Sequence, residues 1–244
     1  MENFFSAVFF DMDGLFANSE PRWLEGETEL MARHGHAWTH QDQVHCLGGP
    51  LTRVGEYMFS LVSVESPEYF TRTLVEIVVE KLSQGTQLMP GAQELARSLK
   101  NAGVPIAMVS ASPRNIVDAV LSGVDHDFAT TISSDDVKNT KPHPEGYLKA
   151  ADFFGVDISD CLIFEDSLTG VAAATASGAS LIAVPHLVTV EQSQRVRVIK
   201  SLEELDMRIL SDYYKEFNAH YLACAGHIDL KKHQSQRRLV FVGQ

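Results

Sequence analysis

The sequence predicts an α/β protein with a doubly wound parallel sheet, interrupted after the first strand by a small helical domain. Short, continuously apolar runs recur along the chain, as they do in strands that are buried on both faces. Helical patterns lie between most of these runs. One long stretch after the first run has helical patterns and no strand pattern, which indicates an insertion into the sheet domain.

Five apolar runs are predicted strands, and each is followed by a polar residue or a proline. The first run stops at Asp11 and the second at Ser110. Strands of a parallel sheet bury both faces, so an unbroken apolar run fits them better than an alternating one. The predicted strands are residues 7–10, 105–109, 128–132, 161–164 and 180–184.

Four helices are predicted between the later strands, and a glycine stands just after each of them, as at many helix C-termini. Strands that alternate with helices indicate a parallel sheet with helices on its faces. The predicted helices are residues 92–102, 115–121, 145–154 and 169–177, followed by Gly103, Gly123, Gly155 and Gly178.

The stretch from residue 21 to about residue 83 breaks this alternation. Its clearest helical patterns cover residues 25–34 and 69–82, and the chain returns to the sheet domain near Pro90. We therefore predict a helical cap domain inserted after the first strand. The predicted division is a core of residues 1–17 and 86–210, a cap of residues 18–85, and a C-terminal extension of residues 211–244.

The predicted extension differs from the rest of the chain in charge. It has five lysines and arginines against three aspartates and glutamates, a balance of +2, whereas the whole chain has a net charge of -12. We interpret it as a surface helix followed by a loosely held tail, with a partner-binding arm as the alternative. Residues 239–242 are a candidate edge strand.

The composition excludes several classes of protein. The chain has 244 residues, of which 45% are hydrophobic and 21% charged, as in a soluble globular protein. The negative net charge argues against nucleic-acid binding, because phosphate backbones are held by an excess of Lys and Arg. No apolar run approaches the roughly 20 residues that span a bilayer, and the N-terminus lacks a signal-peptide pattern. We expect no membrane association.

The three cysteines, Cys46, Cys161 and Cys224, are widely spaced and form no C-x-x-C pattern. This argues against a disulfide framework and against a zinc site. It favours a reducing, cytoplasmic location. We expect a monomer or a weak oligomer.

Polar residues follow the predicted strands at their carboxyl ends, which is where open α/β sheets bind ligands. Each of these residues alone is typical of a turn, a helix cap or a solvated surface. Their joint occurrence, each after an apolar strand, predicts an active site. In chain order they are Asp11 and Asp13 after the first strand, Ser110 after the second, Lys141 after the third, and Glu165 and Asp166 after the fourth.

These residue types predict phosphoryl chemistry with Mg²⁺. Several carboxylates in one place repel each other unless a cation lies among them, and oxygen ligands suit Mg²⁺. Asp11 is the predicted nucleophile and would form an aspartyl-phosphate. Asp13 is the predicted acid and base, while Ser110 and Lys141 would stabilise the phosphoryl charge.

The motifs around these residues resemble those of the haloacid dehalogenase superfamily of hydrolases, in its beta-phosphoglucomutase-like and sugar-phosphatase branch. The resemblance implies a Rossmann-like core with strand order 3-2-1-4-5. It implies metal ligation by Asp11, the backbone carbonyl of Asp13, and Asp166, with Glu165 in support. The matching segments are FFDMDGLFANSEPRW (9–23), VSAS (109–112), TKPHPEGY (140–147) and LIFEDSLTGVAAATASG (162–178).

The cap is expected to supply the side chains that select the substrate. Glu20 and Arg53 are the predicted cap contributors, and residues 47–50 are a predicted loop that would direct Arg53 toward the core. The full set predicted to bind substrate or phosphate is Asp11, Ser110, Ala111, Lys141, Glu20 and Arg53.

The leading functional prediction is hydrolysis of a small phosphorylated metabolite, such as a sugar phosphate. The first alternative is a sugar phosphomutase; mutases of this branch carry a cap histidine twelve residues after the nucleophile, where this chain has Trp23. The second alternative is a catalytically silent phosphate-binding or interaction module. The intact set of Asp11, Asp13, Lys141 and Asp166 argues against that module.

Overall fold

A computed structural model describes residues 4–46, 50–186 and 188–219. Residues 5–206 form one compact unit, and the last described helix belongs to a second unit. Most of the predicted loop 47–50 and the candidate edge strand 239–242 lie outside the described residues. Among the described helices, none has the combination of length and apolar character that is needed to cross a bilayer.

A parallel sheet of six strands forms the centre of the larger unit, in the order β3-β2-β1-β4-β5-β6. The predicted α/β class is therefore confirmed, as is the order of the five predicted strands. The strands are β1 (Ala7–Phe10), β2 (Ile106–Val109), β3 (Thr130–Ile132), β4 (Cys161–Glu165), β5 (Ser180–Ala183) and β6 (Val196–Val198).

Two strands differ from the prediction. The strand β6 was not predicted, because it has three residues and the central one is Arg197, at the edge of the sheet. The strand β3 is shorter than predicted, since Phe128 packs edge-on against the ring of Phe10 instead of pairing in the sheet. The apolar character of Phe128 reflects packing in the core.

Nine helices are described. Six of them correspond to helices predicted with bounds, and five of those six agree with the predicted bounds to within a few residues. The first begins at Glu20 instead of residue 25, because Pro21 stands in the first turn, where its fixed φ suits a helix. The helices are α1 (Glu20–Arg33), α2 (His40–Cys46), α3 (Leu51–Val62), α4 (Pro67–Ser83), α5 (Ala92–Asn101), α6 (Arg114–Ser122), α7 (Glu145–Phe154), α8 (Leu168–Ser177) and α9 (Met207–Phe217).

The central strand β1 is buried on both faces, which explains its unbroken apolar sequence. On one face Phe9 joins a buried cluster with Tyr147 from α7 and Ala173 from α8. On the other face Phe10 packs edge-on against Phe16. Burial on both sides fixes the register of β1, so the residues that follow it emerge at a defined point on the sheet edge.

The described elements between residues 20 and 83 are all helices, in agreement with the predicted absence of strands from this stretch. Two segments of the chain connect this helical stretch to the rest of the larger unit, and they run side by side. The backbone N–H of Asn18 donates to the carbonyl of Gln87 at 2.8 Å, and that of Met89 donates to Phe16 at 2.9 Å. The division of this unit into a core and a cap of residues 18–85 stays a prediction.

Glu27 is a buried carboxylate within the helical stretch, only 7% exposed. Its Oε2 accepts a hydrogen bond of 3.1 Å from the indole N–H of Trp38. Burial raises the pKa of Glu27 to about 7; the bond from Trp38 acts in the opposite direction, and the charge of Glu20 adds to the rise. The folded protein therefore disfavours the ionised form of Glu27.

Replacing Glu27 with Gln is expected to stabilise the protein at pH 8 and to leave it nearly unchanged at pH 4. The carboxyl group of Glu27 loses its proton at a lower pH in the unfolded chain than in the folded chain. Stability conferred by the native Glu27 is therefore lost as the pH rises from about 4.5 to about 7, and it is constant above that. The gain at pH 8 is up to about 3 kcal/mol, at 1.36 kcal/mol for each unit of pKa.

Denaturant titrations at the two pH values measure this difference. Glu25→Gln is the matched control, because Glu25 lies on the same helix and forms an exposed pair with Arg22. Its effect should stay below about 1 kcal/mol at either pH. A pH-independent effect of Glu27→Gln would contradict the explanation.

Candidate active site

Asp11 follows β1 directly, and its backbone N–H donates to the carbonyl of Phe164 on β4 at 3.0 Å. This bond continues the pairing of the two central strands by one residue, so Asp11 and Glu165 lie together at the carboxyl edge of the sheet. Asp11 is 6% exposed and Glu165 is fully buried. The strand ends therefore fix two carboxylates side by side in a site with little water.

Lys141 links these carboxylates. Its ammonium contacts the carboxylate of Asp11, and it donates to Glu165 at 2.6 Å and to the carbonyl of Val109 at 2.7 Å. The Lys141 side chain is only 6% exposed. Burial alone would lower the pKa of Lys141, but the charges of Asp11 and Glu165 outweigh it and raise the pKa above its ordinary value. Lys141 is therefore a buried, permanently charged ammonium.

One lysine does not balance the acidic groups. Burial raises the pKa of Asp11, and the charge of Glu165 adds to this effect. The pKa of Asp166 is raised by its own burial and by the charges of Asp11 and Glu165. The site thus has surplus negative charge, and a bound cation would relieve it.

The carboxylates fit a magnesium ion. One oxygen each from Asp11, Glu165 and Asp166 lie within 4.8 Å of one another. The Oδ1 atom of Asp166 is buried and has no hydrogen-bond partner in the described structure, which leaves it free for a metal. Carboxylate oxygens are the ligands that Mg²⁺ prefers, and Mg²⁺ keeps part of its water shell in such sites. The side chain of Asp13 is not part of this group; the family resemblance implies ligation through its backbone carbonyl instead.

Gly14 allows the close approach of Asp166. Its φ is +81°, and a Cβ at this position would lie 2.3 Å from Oδ2 of Asp166. Only glycine adopts this φ without strain and also leaves this space open. The sequence Asp-x-Asp-Gly thus allows the chain to turn sharply next to the carboxylate of Asp166.

Asp13 is held by serine hydroxyls. Ser19 Oγ donates to its Oδ1 at 2.5 Å, and Ser112 Oγ donates to its Oδ2 at 2.8 Å. Ser110 Oγ donates to Oδ2 at 3.3 Å and accepts a 3.0 Å bond from the backbone N–H of Ser112. Ser19 immediately precedes α1, so the first helix of the insertion begins beside this carboxylate.

Three further residues were predicted for the site: Ala111, Glu20 and Arg53. Ala111 is exposed next to Ser110. Glu20 is solvent-accessible, and its pKa is raised by partial burial and by the charge of Asp13, which places it near that carboxylate. Arg53 donates to the carbonyl of His45 at 3.0 Å. The structure therefore brings Glu20 close to the carboxylates and places Arg53 against the end of α2.

Sequence reasoning missed several residues that hold the site. Tyr147, Ser112 and Gly170 all lie within the recognised motifs, yet no role was predicted for them. Tyr147 lies six residues after Lys141 in the sequence and in the first turn of α7, where an aromatic side chain is typical of core packing. Only the three-dimensional structure shows that its hydroxyl reaches Glu165.

Comparisons with known proteins agree with this geometry. A haloacid dehalogenase-like hydrolase family model matches residues 5–178. Hexitol phosphatase B of Escherichia coli is 31% identical over 186 residues, which cover 73% of this chain and 83% of that protein. Protein SUPPRESSOR OF QUENCHING 1 of Arabidopsis thaliana is 33% identical over 189 residues; these are 73% of this chain but only 18% of that longer protein.

A crystal structure of a HAD hydrolase, family IA, variant 3, from Entamoeba histolytica superposes with a TM-score of 0.74 at 22% identity. The match covers 86% of this chain and 99% of that one, and it shows the shared fold. The family predicted from the sequence motifs is thus confirmed, and the protein is a hydrolase. The chain belongs to the haloacid dehalogenase-like hydrolase family.

Proposed function

We propose that this hydrolase is a Mg²⁺-dependent phosphatase of small sugar phosphates that works through an aspartyl-phosphate on Asp11. The observation that carries the proposal is the buried Asp11 carboxylate, which Lys141 contacts on one side and which lies near the unpartnered Asp166 oxygen on the other. A phosphoryl group that reaches this edge meets a nucleophile, a fixed positive charge and a set of metal ligands.

Each residue of the site has a separate role in the proposed reaction. Asp11 attacks phosphorus, the bond to the leaving oxygen breaks, and Asp13 supplies the proton which that oxygen needs. Asp13 then takes a proton from the water that cleaves the aspartyl-phosphate, so Asp11 is regenerated and inorganic phosphate is released. Lys141 and Ser110 stabilise the phosphoryl oxygens. Bound by Asp11, Asp166 and the carbonyl of Asp13, Mg²⁺ would offset the negative charge of the phosphoryl group.

The charge around Asp13 supports an uncharged leaving group. Glu20, the first residue of α1, lies near Asp13, whose charge contributes to the raised pKa of Glu20. Carboxylates accept hydrogen bonds from sugar hydroxyls and repel a second phosphate or a carboxylate on the substrate. Hexitol phosphatase B, a relative at 31% identity, is named for a substrate of this neutral polyol type.

The two alternatives have less support. A mutase must accommodate a bisphosphate near Asp13, where Glu20 adds negative charge, and Trp23 stands where mutases of this branch carry a histidine. A silent binding module gives no reason for a buried nucleophile beside an unpartnered metal-ligand oxygen. A cytoplasmic location and a monomeric or weakly associating state complete the proposal, on the basis of the acidic composition and the spaced cysteines.

Phosphate release from a panel of substrates tests the proposed function. The panel contains hexitol phosphates, hexose phosphates, phosphoglycolate, a sugar bisphosphate and a generic aryl phosphate, each with Mg²⁺ and with EDTA. We expect release from the neutral sugar and polyol phosphates, and a loss of at least about 100-fold in EDTA that added Mg²⁺ restores. Equal activity in EDTA would overturn the metal requirement. Isomerisation of a sugar phosphate without phosphate release would favour the mutase.

A further inference from the structure

Each carboxylate oxygen of Glu165 accepts two hydrogen bonds. Its Oε1 accepts from Lys141 at 2.6 Å and from the hydroxyl of Tyr147 at 2.5 Å. Its Oε2 accepts from the backbone N–H of Asp166 at 3.2 Å and from Ser167 Oγ at 3.3 Å. A fully buried carboxylate with four donors has one orientation, and only one of its four partners, Lys141, carries a charge.

Gly170 closes off the remaining side of this carboxylate. A Cβ at Gly170 would lie 1.9 Å from Cδ and Oε1 of Glu165 and 2.0 Å from Oε2. The first turn of α8 thus packs directly against the carboxylate, which has no space to rotate in that direction. The orientation of Glu165 therefore depends on its hydrogen-bond donors, among them Lys141 and Tyr147 at Oε1.

Tyr147 touches both members of the Lys141–Glu165 pair. Its side chain is fully buried. Its hydroxyl bonds to Glu165, and the Lys141 ammonium lies 5.0 Å from the centroid of its ring. The hydroxyl is a neutral donor, so it orients Glu165 without competing with Lys141 for negative charge. The ring face contributes a second, cation–π contact to the ammonium.

We infer that Tyr147 is a positioning residue for phosphoryl transfer: its hydroxyl fixes Glu165 as the counter-charge that aims the Lys141 ammonium at Asp11. Glu165 accordingly serves Lys141 through Oε1 and lies beside Asp11 and Asp166 in the carboxylate group of the metal site. The inference rests on the proposed function, because Lys141 acts only when a phosphoryl group is transferred at Asp11.

A double-mutant cycle of Tyr147→Phe and Glu165→Gln tests this inference on the best substrate of the panel. Tyr147→Phe keeps the ring and removes only the hydroxyl. We expect kcat to fall about tenfold while KM stays within about threefold, because the orientation of Lys141 matters most in the transition state. In the Glu165→Gln background, removal of the hydroxyl should change kcat by less than about threefold, since it acts through Glu165.

Tyr57→Phe is the matched control. The Tyr57 hydroxyl donates at 2.6 Å to the buried carboxylate of Asp42, so the variant loses the same type of bond elsewhere. It should shift thermal unfolding to a similar extent as Tyr147→Phe and leave kcat unchanged. An unchanged kcat for Tyr147→Phe, losses that multiply in the double variant, or an equal loss of kcat in Tyr57→Phe would each overturn the inference.

Two further outcomes stay informative. If Tyr147→Phe does not fold, Glu165→Gln alone is the test: kcat should fall about tenfold with KM within about threefold, and an unchanged kcat would overturn the inference. If the unsubstituted protein turns over no substrate, the proposed function fails. The same variants are then compared by calorimetric affinity for orthovanadate with Mg²⁺, because vanadate mimics the transition state of phosphoryl transfer. Tyr147→Phe should bind vanadate more weakly, and the double variant no more weakly than Glu165→Gln. Equal vanadate affinity of Tyr147→Phe and the unsubstituted protein would contradict the inference.

Discussion

Replacement of Asp11 with Asn is expected to lower kcat by at least about 10³-fold, the size of loss typical when a catalytic nucleophile is removed. The amide is a much weaker nucleophile, and it removes a carboxylate from both the metal group and the contact with Lys141. Phosphate release on the best substrate, at saturating Mg²⁺, measures the change.

The fold of the Asp11→Asn variant should survive. Asp11 is buried near Glu165, whose charge contributes to its raised pKa, so a neutral side chain at this position relieves repulsion. Thermal unfolding distinguishes an inactive protein from an unfolded one. Asp152→Asn, an exposed aspartate of α7, is the control and should retain full activity. Retention of more than a tenth of the activity by Asp11→Asn would rule out Asp11 as the nucleophile.

Replacement of Gly170 with Ala is expected to destabilise the protein and inactivate it. In an open helix this change is stabilising by up to about 1 kcal/mol. Here the added methyl would lie 1.9 Å from the Glu165 carboxylate. That carboxylate is fully buried and bonded on its other sides, so relief requires a shift of Glu165 and, with it, Lys141. We expect a loss of about 1–3 kcal/mol, as for other overpacked sites.

The measurements for Gly170→Ala are the thermal midpoint and kcat at a temperature where the variant is folded. Gly123→Ala is the control, because the nearest atom to a Cβ there is Cα of Gly85, at 3.9 Å. It should preserve both stability and kcat. An increase in stability of Gly170→Ala would show that the carboxylate has room to move, and would contradict the rigid arrangement around Glu165.

The parallel sheet and the group of residues at its edge were predictable because both follow from strand ends. A strand buried on two faces has an unmistakable apolar sequence, and parallel strands deliver the residues after them to one edge. Asp11, Glu165 and Asp166 therefore converge as a direct consequence of β1 and β4 being neighbours. The recurrence of polar residues after such strands was sufficient to predict Lys141 as their partner.

The supporting residues could not be predicted in this way. Tyr147 and Gly170 lie on helices, and their contacts depend on how those helices pack against Glu165. A tyrosine in an apolar helix pattern is usually a core residue. A glycine within a helix usually indicates only that the helix is less stable at that position. The surroundings of Arg53 depend likewise on the packing of α3 against α2, which no local pattern specifies.

The central claim is that Asp11 carries the phosphoryl group, and its most direct test is to trap that intermediate. Asp13→Asn slows the hydrolysis step, and an aryl phosphate with a good leaving group needs no proton from this residue to form the intermediate. The intermediate should therefore accumulate when this variant is mixed with such an aryl phosphate and Mg²⁺ and quenched in acid. Peptide mass spectrometry should then find a phosphoryl group on Asp11, and none in a sample quenched before substrate is added. Phosphate release by the unsubstituted protein, with no phosphoryl group on Asp11 in either form, would contradict the account.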